Sequence, residues 1–192
     1  VVPLDHNNRI LVEQGLRRMR AGQAAPGILA LLQVAGRNPS RAVATDLGFA
    51  AGPRLNAAGR MDDMGIGIEC LLTDDPVRAL TLAQALDDLN RDRREVEAQM
   101  QDQALDSLSR LLEGGLTGAA GYGLCLYEPA WHQGVIGIVA SRIKDRVHRP
   151  VIDFADAGDG LLKGSARSIP GLHVRDALDA IATAHPGPVS KF

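Results

Sequence analysis

From Pro76 to Glu113 the sequence contains no glycine and no second proline. A run of that length without a backbone breaker constrains the fold more than any other feature of the chain. Asp75-Pro76 supplies a cap followed by a proline suited to the first helical turn. Leu82, Leu86, Leu89, Val96 and Met100 then follow at alternating steps of four and three, with Arg93 standing where an apolar residue belongs. Asp87/Arg91, Arg91/Glu95 and Arg93/Glu97 are pairs of opposite charge one helical turn apart. Such a helix would span roughly 55 Å at 1.5 Å per residue, more than a compact domain needs. It is either a packing or coiled-coil helix, or a strut between two domains, since the sequence changes character on either side of it.

Composition narrows the classes. The 192 residues are 45% hydrophobic, with 21 Lys and Arg against 23 Asp and Glu, which excludes a disordered polyelectrolyte and a uniformly basic nucleic-acid coat. No apolar run approaches the ~20 residues of a membrane-spanning helix, and no charged-then-apolar leader opens the chain. Cys70 and Cys125 are too few for a disulfide framework, so a reducing cytoplasm is the expected setting. The first residue is Val1, and an apolar-alternating stretch is beginning at Val189–Phe192. The sequence therefore reads as an internal piece of a longer protein.

Before the long helix, Asn8–Arg20 and the stretch from Pro26 to Gly36 read as helices, the first locally basic through Arg9, Arg17, Arg18 and Arg20. Thr45 or Asp46 is placed to cap a short helix beginning at Leu47. Gly48, Gly52, Gly59, Gly65 and Gly67 then fall among small alanines, a density that allows backbones to approach each other or a ligand. After the glycine-rich break at 114–121 the pattern becomes α/β. Tyr122–Tyr127 is a strand, Gly134–Val147 a helix, Val151–Phe154 a strand, Asp156–Gly160 a hairpin turn, Leu161–Ser168 a strand, and His173–Ala184 a helix.

No phosphate loop, nucleophile elbow, Cys-x-x-Cys pair or His-Glu-x-x-His is present, and the five histidines are scattered. Asp62-Asp63 and Asp74-Asp75 are adjacent acids, read as helix starts in preference to a metal site. Three clusters remain. In Gly52–Arg60, Arg54, Asn56 and Arg60 sit on a backbone bare enough for phosphate to approach, or are surface arginines beside a tight turn. Trp131-His132-Gln133-Gly134 lies between a strand and a helix N-terminus, where anions bind in open α/β sheets. There Trp131 either stacks on a base or fills the core. In Lys163–Ser168, alternation puts Lys163, Ser165 and Arg167 on one face. A hydroxyl beside a guanidinium makes a phosphate clamp, unless this is an exposed edge.

The blocks VVPLDHNNRI, GPRLNAAGRMDD, GIECLLTDD, WHQGVIGIVASR, RPVIDF and KGSARSIPGLHVRDAL, in this order, resemble the RecJ family of single-strand-specific 5′→3′ DNA exonucleases in the DHH phosphoesterase superfamily. The resemblance implies an α/β protein in three parts: residues 1–73 as the helical end of a DHH domain, 74–114 as a long interdomain helix, and 115–192 as an incomplete, mixed α/β DHH-associated domain. It implies phosphodiester hydrolysis with paired Mn²⁺ or Mg²⁺ ions, in DNA repair and recombination, on single-stranded DNA and alongside a helicase and a single-strand-binding protein. The family's metal-binding motifs are expected outside this sequence, so no metal ligand is assigned here and the piece alone is expected to be inactive. By the same resemblance Arg54 contacts the DNA backbone, Arg167 and Ser168 belong to the strand that recognises the 5′ end, and His132 and Gln133 lie beside it. Asn56, Arg60, Arg142 and Ser165 carry over as further contacts. The rival readings are a non-catalytic nucleic-acid-binding relative and a DHH phosphoesterase acting on short oligonucleotides or cyclic dinucleotides.

Overall fold

The computed structural model describes residues 3–113 and 122–187. The chain divides into two compact units, Val1–Arg94 and Glu95–Phe192, with the division inside one long helix, Pro76–Glu113.

The first unit is helical. Asp5 opens helix α1 (His6–Arg20) by accepting a hydrogen bond from the Asn8 N–H at 2.9 Å, and Arg17, Arg18 and Arg20 crowd its negative end. Pro26 begins α2 (Pro26–Val34). The short helix expected from Leu47 begins earlier, as α3 (Ala44–Asp46), because the Asp46 carboxylate folds back to accept the Val43 N–H at 3.0 Å. A π-helical turn, Leu47–Ala51, leads into α4 (Gly52–Met61) and α5 (Gly65–Leu72). Asp63 accepts the Gly65 N–H at 2.7 Å and Asp75 the Val77 N–H at 2.9 Å, so two of the four paired acids serve helix starts. The Pro76–Glu113 helix is α6.

Alanines of the small-residue stretch are used for helix packing. Ala51, Ala58, Ala79 and Ala83 are buried with Leu31, Leu82, Leu86 and Cys70 in one apolar cluster. The tightest approach is at Gly27, where a Cβ would lie 1.8 Å from the Cys70 carbonyl oxygen. There α2 crosses α5 with no room for a side chain.

The second unit holds a three-stranded sheet in the order β1 (Leu124–Tyr127), β2 (Val151–Gly158), β3 (Leu161–Arg167). β1 and β2 are parallel and joined through α7 (Ile136–Val147), whereas β2 and β3 form an antiparallel hairpin. α8 (Val174–Ala184) follows. Three strand and helix boundaries in this unit differ by two residues or more from those read in the sequence. β1 starts at Leu124 rather than Tyr122. α7 starts at Ile136 rather than Gly134, because the His132 imidazole Nδ1 accepts the Gly134 N–H at 3.1 Å and holds the approach in a turn. β2 continues to Gly158 rather than Phe154, since Ala155 and Asp156 still pair with Lys163 and Leu162. The reversal is compressed into Gly158, Asp159 and Gly160, with φ of 84°, 52° and 73°, the left-handed region that favours glycine and admits aspartate. The strand expected at Val189–Phe192 lies outside the described residues. Among those described, no helix is long and apolar enough to cross a membrane.

Candidate nucleic-acid interface

Strand alternation and register assemble one compact polar group in the second unit. Ser165 and Arg167 share a face of β3, and that face meets the first turn of α7 at Gly137. A Cβ on Gly137 would lie 2.8 Å from Arg167 Nη2 and 2.9 Å from Ser165 Oγ. Arg167 Nη2 donates to the Gly137 carbonyl at 2.6 Å, while Nη1 donates to Ser165 Oγ at 3.2 Å and to the Ala166 carbonyl at 2.8 Å. Three of the guanidinium's five donors are thereby engaged. The Nε–H and one Nη2–H are left for an outside acceptor. Both side chains are half-buried, so the fork is held by strand and helix yet reachable. Chemically, the arrangement suits an oxyanion: a pre-positioned guanidinium beside a hydroxyl, at the positive end of a 12-residue helix.

The neighbouring candidates divide. His132 is half-buried and Gln133 exposed at the entrance to α7. With Nδ1 accepting from Gly134, the His132 Nε2 is the remaining nitrogen of the ring. Ser168 continues from β3 and its hydroxyl accepts the Val174 N–H at 3.1 Å, fixing the start of α8. Trp131 belongs to the core: it is 5% exposed and its indole N–H donates to Gln103 Oε1 at 2.9 Å. Of its two readings in the sequence, packing is the one realised.

Arg54, mostly buried, and Arg142, exposed, are each paired with a carboxylate. Arg54 Nη2 lies 2.6 Å from Asp87 Oδ1 with side chains 11% and 25% exposed, Nη1 donates to the Ala50 carbonyl at 2.8 Å, and Nε is buried without a partner. The guanidinium ties the start of α4 to α6. Arg142 pairs with the Glu97 carboxylate, whose side chain is 7% exposed, and tethers α7 to α6. Asn56 and Arg60 are exposed on α4.

One residue beside the clamp escaped the sequence reading. Asp153 on β2 is 0% exposed, and neither carboxylate oxygen has a hydrogen-bond partner. It stands directly across from Ser165, on the buried face with Val151 and Ala155. Burial pushes its carboxyl up to about 7, against the opposing pull of the Arg167 guanidinium. The signal was available: an aspartate two residues from Val151 in a strand is placed on that strand's apolar face.

Among the described residues no three His, Cys, Asp or Glu side chains come together in a way that fits a metal ion. No hydrolytic step through a metal is therefore derived from this chain's residues.

The chain resembles known proteins in sequence and in fold. Residues 120–192 match the DHHA1 domain family. Over all 192 residues the chain is 60% identical to the single-stranded-DNA-specific exonuclease RecJ of Dickeya dadantii (strain 3937), covering 100% of this chain and 33% of that protein. Crystal structures of RecJ from Thermus thermophilus are similar in fold at 32% identity. The complex with Mg²⁺ gives a TM-score of 0.77 over 95% of this chain and 27% of the other. The complex with Mn²⁺ gives 0.74 over 93% and 26%. The chain spans about a third of the length of the curated RecJ relatives it matches over its whole length, and the RecJ resemblance read in its six sequence blocks extends from end to end.

Proposed function

We propose that this chain, RecJ-like along its whole length and carrying a DHHA1 domain, is the DNA-handling part of a single-strand-specific 5′→3′ exonuclease of repair and recombination. Its substrate is single-stranded DNA, and its second unit receives the 5′-terminal phosphate. The observation that carries the reading is the Arg167 fork, fixed by Gly137 and Ser165 with two donors unspent. A terminal phosphate offers more oxygens and more charge than an internal diester, so a short clamp of this kind favours a phosphorylated end. His132, Gln133 and Ser168 border the clamp. Asn56 and Arg60 are proposed as exposed contacts on α4. The proposed part of Arg54 and Arg142 in DNA binding is indirect, through the carboxylates that already hold them. The partition into a DHH-domain end (1–73), connecting helix (74–114) and associated domain (115–192) belongs to the same proposal.

RecJ crystals hold Mg²⁺ or Mn²⁺, and the donor set described here does not suit either ion. Bond cleavage is accordingly assigned to residues beyond those described, and a cytoplasmic setting with a helicase and a single-strand-binding protein as partners is part of the proposal. The rival reading, a nucleic-acid-binding module with no catalytic parent, makes the same clamp and differs only in what accompanies it.

The test is binding of a single-stranded oligonucleotide carrying either a 5′ phosphate or a 5′ hydroxyl. The native chain is expected to bind the phosphorylated end more tightly by about tenfold, the worth of one charge-assisted hydrogen bond, and Arg167→Ala to abolish the difference. Equal affinity for both ends in the native chain would refute a 5′-phosphate site.

A further inference from the structure

A carboxylate beneath an anion site is out of place. Asp153 is fully buried, hydrogen-bonded to nothing, and opposite Ser165 in the hairpin register. Paired residues of an antiparallel ladder project from the same face. Ser165 meets Gly137 of α7, so Asp153 lies beneath α7 as well, with Arg167 one alternation further along the same face of β3. Other groups around it offer little compensation. Leu126 is its register partner on β1, and the buried α7 residues Ile136, Val139, Ala140 and Ile143 are apolar. Of the α7 cations, Arg142 and Lys144 are paired with Glu97 and Asp145, and Arg146 is exposed. Cys125 is exposed on the opposite face of β1. Lys163 is exposed. Arg167 is thus the cation that Asp153 feels.

We propose that Asp153 is a positioning residue for the phosphate clamp, which grips a phosphate while the Asp153 carboxyl is neutral and loosens when it ionises. The proposal rests on the clamp reading above. Its physics has two parts of the same sign. An ionised Asp153 attracts the Arg167 guanidinium toward the sheet, and it repels a phosphate bound on the far side of that guanidinium. With its carboxyl held near neutrality, Asp153 is neutral in mildly acidic solution and charged in mildly basic solution, so phosphate affinity falls as pH rises. By reciprocity, bound phosphate raises the Asp153 pKa, and each unit of that rise corresponds to about a tenfold loss of affinity across the titration.

The experiment measures the dissociation constant of a 5′-phosphorylated single-stranded oligonucleotide from about pH 5.5 to 8.5, a range spanning the carboxyl's titration, on the native chain, Asp153→Asn and Arg167→Ala. The terminal phosphate itself loses its second proton near pH ~6. That step contributes equally to the native chain and Asp153→Asn, so the difference between those two profiles isolates Asp153. The native affinity is expected to fall about tenfold relative to Asp153→Asn between the ends of the range, for one unit of coupling. Parallel profiles, with Arg167→Ala still weakening binding, would overturn the role of Asp153 and leave the clamp standing. No effect of Arg167→Ala would remove the clamp and this proposal together. A measurement on the native chain needs no variant to fold: the Asp153 carboxyl carbon, followed by NMR, should titrate to higher pH when the phosphorylated oligonucleotide is bound. An unmoved titration would also overturn the role.

Discussion

At the scale of single residues, the informative contrast is between two arginines that look alike in sequence. Arg54 and Arg167 each sit among small residues, and each reads there as a phosphate contact. Arg167 is held by carbonyls and a hydroxyl, which leave its charge uncompensated at short range. Arg54 is neutralised by Asp87 at 2.6 Å, and Asp87 also faces Arg91 at 3.4 Å. Removing Arg54 should therefore act first on stability. Arg54→Ala leaves the partly buried Asp87 without its nearest cation, and a loss of about 2 kcal/mol is expected in denaturant unfolding, with oligonucleotide affinity changed less than by Arg167→Ala. The reverse ranking would make Arg54 the direct contact. Sequence could nominate both arginines, since residue type and small neighbours are visible there. It could not separate them, because Asp87 lies 33 positions downstream of Arg54 and only the helix crossing brings them together. Asp153 was missed for a related reason: its place on an apolar face was legible, whereas its lack of any partner is a property of the packed interior.

At the scale of elements, the helical and strand periods were readable and the ends were governed by local hydrogen bonds. Asp46 reaching back to Val43 moved one helix start, and His132 accepting from Gly134 moved another. The long breaker-free segment became a 38-residue helix as its composition required. The Gly/Ala-rich stretch was legible as a place of close approach, and its Ala51 and Ala58 pack into the apolar cluster between helices. Gly27, on α2 and outside that stretch, makes the closest helix approach among the described glycines. Its missing Cβ faces the Cys70 backbone, which cannot rotate aside as a side chain would. Gly27→Ala should force α2 and α5 apart and cost about 3 kcal/mol, seen by circular dichroism as a lower unfolding midpoint. A midpoint within experimental error of the native one would mean that the two helices are not in contact there in solution.

For the molecule as a whole, a formal net charge of −2 says little about DNA binding, because a few placed cations govern a phosphate contact. Aromatic residues make up only 3% of the chain, and its single tryptophan is buried. Base stacking therefore has few sites, and binding should be dominated by the phosphate chain. The central claim is that Arg167 contributes a direct phosphate contact. The most direct test is the salt dependence of single-strand affinity for the native chain and Arg167→Ala. For single strands each phosphate contact contributes a slope of about −0.7 in log K against log salt concentration. The native slope is expected to be steeper than that of Arg167→Ala by about that amount. Identical slopes, with the variant still folded, would contradict it.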